Sequence, residues 1–208
     1  MWLDQRTSSV VSEMSAKNQG NVDAYRLDCG LPINTYFSAV KMRWLLQNAK
    51  LNKDDLIFGT IDTWLIAKLT QLSSFVTDSS NASRTMLMDI NTLEWSDKMI
   101  TEFGLDTKWL PKIHKSSSSD FGTVSGLDGF DGIPITGVLG DQQAACLGHL
   151  LKPGQVKNTY GTGCFMLANT GEIPVQSKHG LLTTMCYRLE DKTYYALEGA
   201  VEAAGAAI

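Results

Sequence analysis

The chain has 208 residues, of which 43% are hydrophobic and 19% are charged, a balance typical of folded globular proteins rather than disordered ones. The net charge is only −4, and the lysines and arginines are scattered along the sequence, so a nucleic-acid partner is not indicated. No signal-peptide pattern is present, and no apolar run reaches the ~18 residues that a membrane-spanning helix needs. We therefore expect an intracellular protein without a membrane segment.

Cysteine and histidine spacings predict neither disulfides nor a metal site. The four cysteines lie far apart with no CxxC pair, which favours reduced thiols in a cytosolic protein. The three histidines show no ligand spacing such as HxxxH. We expect no residue of this chain to be a metal ligand.

Three helices are predicted in the first 70 residues, over 8–19, 36–49 and 56–70. The first has Thr7, Ser8 or Ser9 as its cap. The second has the apolar spacing of an amphipathic helix. The third begins near Thr60 or Asp62 and is strongly apolar, so we expect it to be buried.

The middle of the chain is predicted to be rich in turns. Residues 75–85 carry many Ser, Asn and Asp side chains, which favour turns over long elements. A short helix is predicted after Ser96, which would cap it, and Gly104 would end it. Residues 115–131 are rich in Ser and Gly and predict surface loops.

Strands are predicted mainly in the second half of the chain. A β-branched run over 133–140 predicts a strand that leads through a tight turn into an apolar helix. Alternating patterns after residue 154 predict two strand pairs, with a turn over 169–171 and a second turn over 190–192 that joins the later pair. The small residues after Glu198 predict the start of another helix. The mixture predicts an α/β or α+β architecture with a domain boundary near 152–154.

Asp141 is the first candidate for chemistry, because it is predicted to lie between the carboxyl end of a strand and a helix, where open α/β sheets bind ligands. A carboxylate there can accept the proton of a hydroxyl, and Gln142 offers both a donor and an acceptor to a polyol. The alternative is that Asp141 only caps the helix.

Glycine-rich segments provide the candidates for nucleotide binding. In the YGTGCF segment the glycines let backbone amides approach an anion, and Thr162 adds a hydroxyl, although a hairpin turn alone would also need glycines. Gly199 and Gly205 would allow an adenosine to pack closely, or simply two helices. Arg84 could bind a carboxylate through two hydrogen bonds, and a structural salt bridge is the simpler interpretation.

Ordered strings in the chain resemble the glycerol kinases of the FGGY family of carbohydrate kinases. The strings are YFSAVKMRWLLQN, FGTIDTWLIAKLT, SNASRTML, LGDQQAACLG, NTYGTGCFMLANTG and YALEGAV. The resemblance implies an α/β fold of the actin-like ATPase superfamily, with two ribonuclease-H-like domains around a cleft. Residues 1–152 would then belong to the glycerol-binding domain and 153–208 would begin the ATP-binding domain.

The resemblance also implies an activity, the phosphorylation of glycerol by ATP with Mg²⁺. Tyr36, Asp141 and Gln142 match glycerol-binding positions, and Asp141 would also be the base. Thr162 and Gly205 match ATP-binding positions. A cytoplasmic location is implied, while peripheral attachment to mitochondria and homo-oligomerisation stay open.

The chain also departs from the family pattern. The family's amino-terminal phosphate loop, the Arg–Glu pair that grips glycerol and most of the carboxyl-terminal domain have no match in the 208 residues. We therefore expect an internal fragment that is inactive when isolated. Two alternatives are another FGGY sugar or polyol kinase and a non-catalytic interaction protein made from a truncated gene.

Overall fold

A computed structural model describes residues 4–189 and 191–205 of the chain. The helices are α1 (Ser8–Lys17), α2 (Arg26–Cys29), α3 (Ser38–Asn48), α4 (Ile61–Leu69), α5 (Ser79–Ala82), α6 (Asp97–Glu102) and α7 (Asp141–Gly148), with a 3-10 turn at Thr107–Trp109. The strands are β1 (Val76–Asp78), β2 (Lys112–His114), β3 (Val156–Tyr160), β4 (Cys164–Gly171), β5 (Leu182–Leu189) and β6 (Lys192–Val201). The architecture mixes helices and sheets, as predicted.

The strands form two sheets. β1 and β2 pair in parallel, with Val76 opposite Lys112. The other four strands pair antiparallel in the order β3-β4-β6-β5. β6 therefore has a partner on each side, and the residues that it carries are held in place by both.

The largest core cluster lies among α1, α3 and the segment around α6. Val10 and Met14 are one turn apart in α1 and are both buried, so this helix presents one apolar face to the core. In α3 the buried residues include Val40 and Met42, and Phe103 after α6 is fully inaccessible. The predicted helix over 36–49 is confirmed.

The interpretation of α4 as a buried helix was wrong in part. Ile66 and Ala67 are buried, but Ile61, Trp64 and Leu65 are 74%, 55% and 54% exposed. Positions separated by three or four residues lie on one side of a helix, so these three apolar side chains form a single exposed stripe. The predicted start is confirmed, since Thr60 occupies the N-cap position.

Caps and short elements near the middle of the chain follow local side-chain chemistry. Ser96 Oγ accepts a hydrogen bond from the Met99 amide at 3.4 Å and Gly104 has a φ of +68°, which confirms both ends of the helix predicted there. The turns predicted over 75–85 were wrong in part, because this segment holds β1 and α5. The Asp78 carboxylate caps α5 through the Ser80 and Asn81 amides.

Two predictions in the second half of the chain were wrong. Residues 133–140 form no strand and only isolated bridges, such as Thr123 to Pro134, because proline has no N–H to donate to a ladder. Residues 198–201 belong to β6 rather than to a helix, since they pair with β4 and Val201 lies opposite Cys164. Residues 206–208 of that predicted helix lie outside the described residues.

The predicted strand pairs are present, with two differences in their turns. β3 and β4 flank the predicted turn, with Tyr160 opposite Cys164, and β5 pairs with β6. The turn predicted at 169–171 instead lies within β4, at a shift in register. Glu190, predicted in the turn before β6, lies outside the described residues.

Gly30 joins the helical half of the chain to the four-stranded sheet. It ends α2 with a φ of +80°, and its carbonyl accepts a hydrogen bond from the Thr183 amide at 3.0 Å. A Cβ atom at position 30 would lie 2.1 Å from the Thr183 carbonyl oxygen. Only glycine permits this approach of two backbones.

Gly30→Ala is expected to destabilise the protein by more than the cost of a strained φ alone, which is about 1 kcal/mol. Gly20→Ala is the matched control, because Gly20 has a φ of +84° but nothing within 4 Å of the added Cβ. Urea unfolding of both variants measures the difference. Equal losses at the two positions would show that the contact with Thr183 relaxes without cost.

None of the helices in residues 4–189 and 191–205 has the length and apolar character that a membrane crossing requires.

Candidate active site

A cavity of about 630 Å³ opens beside the first residue of α7. Its wall brings together Tyr36, Asp141 and Gln142, the three residues assigned to glycerol binding from the sequence. Apolar residues of the lining include Ile61 and Leu65 of α4. The cavity therefore offers a few convergent polar groups within a largely apolar lining, which is typical of small-molecule sites.

Asp141 is the first residue of α7 and not its cap. The N-cap is Gly140, so the prediction that Asp141 caps the helix was wrong in position. Asp141 Oδ1 accepts a hydrogen bond from the Gln142 amide at 2.8 Å, and the residue is exposed at the edge of the cavity. A carboxylate in this place is accessible to a substrate hydroxyl and can accept its proton.

The start of α7 is fixed by contacts with two other elements. The Gly140 amide donates to Ser80 Oγ of α5 at 2.9 Å. Gln143 is buried, and its Nε2 donates to the Met185 carbonyl of β5 at 3.3 Å. A Cβ at position 140 would lie 2.5 Å from Gln143 Oε1, so a larger residue there would require the side chain of Gln143 to move.

The side chain of Gln142 lies between Asp141 and a buried lysine. Its Nε2 is 3.4 Å from Asp141 Oδ2, and its Oε1 accepts a hydrogen bond from Lys157 Nζ. Lys157 Nζ also donates to Thr159 Oγ1 at 2.7 Å. Burial lowers the pKa of Lys157, although nearby negative charges oppose this effect.

Arg84 and Glu198 form a bidentate ion pair in the cavity wall. The Nη1–Oε2 and Nη2–Oε1 distances are both 2.8 Å, and the side chains are 19% and 2% exposed. Burial lowers the pKa of Arg84, but the interactions with Glu198 and Tyr36 together outweigh it, and the pKa lies above its usual value. The structural salt bridge expected for Arg84 is confirmed.

Tyr36 packs against this ion pair. The Arg84 guanidinium lies 5.7 Å from the centre of the Tyr36 ring, and Phe37 meets the same ring edge-on at 5.1 Å. Burial raises the pKa of Tyr36, while the charge of Arg84 acts in the opposite direction. Tyr36 therefore faces the cavity as a neutral phenol at ordinary pH.

Sequence reasoning missed several polar residues of the cavity wall, among them Asp62 and Glu198. Asp62 was recognised only as a helix-start signal, but its carboxylate accepts hydrogen bonds from Thr60 and, at 2.6 Å, from Thr77. Burial raises the pKa of Asp62. No local pattern marks Glu198, because its partner Arg84 is 114 residues away in the chain.

Thr162 and Gly205 are neighbours but do not line this cavity. The Ala204 amide donates to the Thr162 carbonyl at 2.9 Å, and the Gly205 amide donates to the Gly161 carbonyl at 3.0 Å. A Cβ on Gly205 would lie 2.5 Å from the Gly161 carbonyl oxygen. The structure thus brings the two residues assigned to ATP together, and the glycine is needed for this contact.

The sequence pattern of the amino-terminal domain of the FGGY family of carbohydrate kinases matches residues 1–148. The chain belongs to the FGGY family of carbohydrate kinases. A crystal structure of Plasmodium falciparum glycerol kinase with ADP superposes with a TM-score of 0.91 at 45% identity, over 100% of this chain and 42% of that one. The fold expected from the resemblance, that of the actin-like ATPase superfamily, is therefore confirmed for this family member.

Another relative and another solved structure also match nearly the whole chain. A glycerol kinase of Arabidopsis thaliana is 46% identical over 100% of this chain and 42% of its own length. A gluconate kinase from Lactobacillus acidophilus shares the fold, with a TM-score of 0.78 at 21% identity over 97% of this chain and 41% of that one. The chain thus spans less than half the length of these relatives.

The described residues do not contain a metal site built from protein side chains alone. They contain no group of three His, Cys, Asp or Glu side chains that could hold a metal ion. Mg²⁺ in kinases is usually held by one or two carboxylates together with substrate phosphates. Within the described residues, Mg²⁺ would therefore depend on single carboxylates together with the phosphates of ATP.

Proposed function

We propose that the protein to which this chain belongs phosphorylates glycerol with ATP, giving glycerol 3-phosphate and ADP. The observation that carries the proposal is the meeting of Tyr36, Asp141 and Gln142 in one cavity, although Tyr36 is about a hundred residues from the other two in sequence. The 46% identity with a glycerol kinase supports glycerol as the substrate over larger sugars.

In the proposed reaction Asp141 accepts the proton of a terminal hydroxyl of glycerol. The hydroxyl oxygen then bonds to the γ-phosphorus of ATP, and the bond between that phosphorus and the bridging oxygen of ADP breaks. Gln142 donates from its amide to a glycerol hydroxyl, and Tyr36 covers the polyol from the side of Arg84. Positioning and charge stabilisation supply most of the rate gain in this class of reaction.

Thr162 and Gly205 are proposed to contact ATP near its phosphates and its adenosine. Support comes from their proximity to each other and from the ADP in the Plasmodium falciparum structure. Mg²⁺ is proposed to accompany ATP and would neutralise phosphate charge when bound. The 208 residues alone are proposed to show no turnover, because the family's amino-terminal phosphate loop and the Arg–Glu pair that grips glycerol have no match among them.

The test is a substrate panel with the full-length protein. Glycerol, xylulose and gluconate are each incubated with Mg-ATP, ADP release is followed, and the product from glycerol is identified by mass spectrometry. A clear preference for glycerol is expected. A preference for either sugar substrate would favour the rival FGGY kinase, and no turnover with any polyol or sugar would favour a non-catalytic interaction protein.

We also propose how the chain is divided into domains, where the protein is located and whether it assembles with copies of itself. Residues 1–152 are proposed as part of the glycerol-binding domain and 153–208 as the beginning of the ATP-binding domain. A cytoplasmic location and a homo-oligomer are also proposed. Cell fractionation tests the cytoplasmic location, and light scattering tests the oligomeric state.

A further inference from the structure

We propose that Lys157 is a positioning residue, which orients the amide of Gln142 so that Gln142 and Asp141 together can receive the substrate hydroxyls. This inference rests on the proposed function. Lys157 lies in β3 with its side chain against the first turn of α7, and sequence reasoning did not single it out. Its hydrogen bond to Gln142 connects β3, the strand before the YGTGCF turn, with the residue that follows the proposed base.

The hydrogen bonds of Lys157 fix which way the Gln142 amide points. Lys157 Nζ donates to Gln142 Oε1 and to Thr159 Oγ1. An ammonium group has donors and no acceptor, so the amide atom that faces it has to be the oxygen. The amide nitrogen of Gln142 is then directed to Asp141, where its distance from Oδ2 is 3.4 Å.

This orientation has a chemical consequence. If the amide of Gln142 turned over, its oxygen would face the Asp141 carboxylate, and two acceptors would repel each other. The site would also lose the donor that Gln142 offers to the polyol. With Lys157 in place, the amide donates to a substrate hydroxyl oxygen while the carboxylate accepts a substrate proton.

The burial of Lys157 also indicates a specific role. The residue is 7% exposed, and an ammonium group is costly to bury unless its donors are satisfied and opposite charges are near. Glu198 and Asp141 are among the groups whose charge acts on Lys157. Cys146 is the first of the groups whose charge favours the cation and does not line the cavity, whereas Glu198 and Asp141 do, so part of the compensation comes from the proposed site.

The experiment is a double-mutant cycle in the full-length protein. Lys157→Met is expected to lower kcat/KM for glycerol about 10- to 100-fold, the range for loss of a hydrogen bond to a charged group. Lys157→Arg keeps a cationic donor and is expected to retain most of the activity. Lys152→Met is the matched control, because Lys152 is exposed in the turn before β3, and no change is expected.

The second arm of the cycle uses Gln142→Ala. If Lys157 acts through Gln142, Lys157→Met has little further effect on kcat/KM in the Gln142→Ala background, because the two losses are not additive. Equal losses in both backgrounds, or failure of Lys157→Arg to retain activity, would overturn the positioning role. If Lys157→Met does not fold, Lys157→Gln takes its place in the cycle.

The same cycle separates this inference from the proposed function. If the wild-type protein phosphorylates another polyol or sugar instead of glycerol, the substrate assignment is wrong and the cycle is measured with that substrate. If it phosphorylates none, the proposed function is wrong and the cycle is measured on glycerol affinity by calorimetry. Absence of coupling between Lys157 and Gln142 in that measurement, or of glycerol binding, overturns the positioning role as well.

Discussion

Asp141→Asn in the full-length protein is expected to lower kcat for glycerol phosphorylation by about 10²- to 10⁴-fold, the usual contribution of a general base. An asparagine keeps the size of the side chain but cannot accept the hydroxyl proton as a carboxylate does. Because Asp141 is exposed and Gly140 is the N-cap of α7, the melting temperature should change little. A coupled assay for ADP and a thermal melt measure the two effects.

The control for this variant is Asp128→Asn. Asp128 is exposed on the loop between residues 115 and 131 and does not line the cavity. It should leave both kcat and the melting temperature unchanged. If Asp141→Asn retained full activity while Asp128→Asn did likewise, another group would have to accept the proton and Asp141 would not be the base.

Glu198→Gln is expected to destabilise the protein by about 3 to 5 kcal/mol, since removing one partner of a buried pair leaves the other charge uncompensated. Glu198 is 2% exposed, and both of its carboxylate oxygens accept hydrogen bonds from Arg84. Loss of the pair should also free the guanidinium that packs on Tyr36. Urea unfolding measures the stability, and KM for glycerol reports the effect on Tyr36.

Glu13→Gln is the matched control for the ion pair. Glu13 accepts a hydrogen bond from Arg43 at 2.6 Å, but its side chain is 51% exposed. Pairs with an exposed carboxylate contribute about 0 to 1 kcal/mol, because water already solvates that charge. Similar small losses for Glu13→Gln and Glu198→Gln would contradict a special role for the buried pair.

Local side-chain chemistry made several elements predictable from the sequence. Ser96 and Gly104 are at the ends of a helix because a hydroxyl can cap an amide and glycine tolerates positive φ. The alternating residue pattern in β3 to β6 likewise allowed these strands to be predicted. The run over 133–140 was misread because its β-branched residues fit a strand, whereas the hydrogen-bond ladder that defines one is interrupted at Pro134.

The site was predictable only in part. Tyr36, Asp141 and Gln142 were assigned through a resemblance, and the structure brings them into one cavity, but their roles stay predictions. The places of Lys157 and Glu198 were not predictable from neighbouring residues. Each depends on a partner in another element, and such contacts have no periodic or compositional signature.

The exposed stripe on α4 shows a similar limit. The apolar residues of α4 predicted a buried helix. Hydropathy, however, records which side chains prefer to leave water and not whether a neighbour covers them. Trp64 and Leu65 are more than half exposed in the structure. The helix itself was predictable, whereas the surface that it presents was not.

The distance along the chain between Arg84 and Glu198 determines when the cavity wall can form. The two residues are separated by 114 positions, so during synthesis Arg84 leaves the ribosome first and has no carboxylate partner until Glu198 follows. At the usual pace of translation that interval lasts roughly 6 to 23 s. The cavity is therefore among the last parts of this structure to form. The guanidinium of Arg84 stays hydrated until β6 has been synthesised.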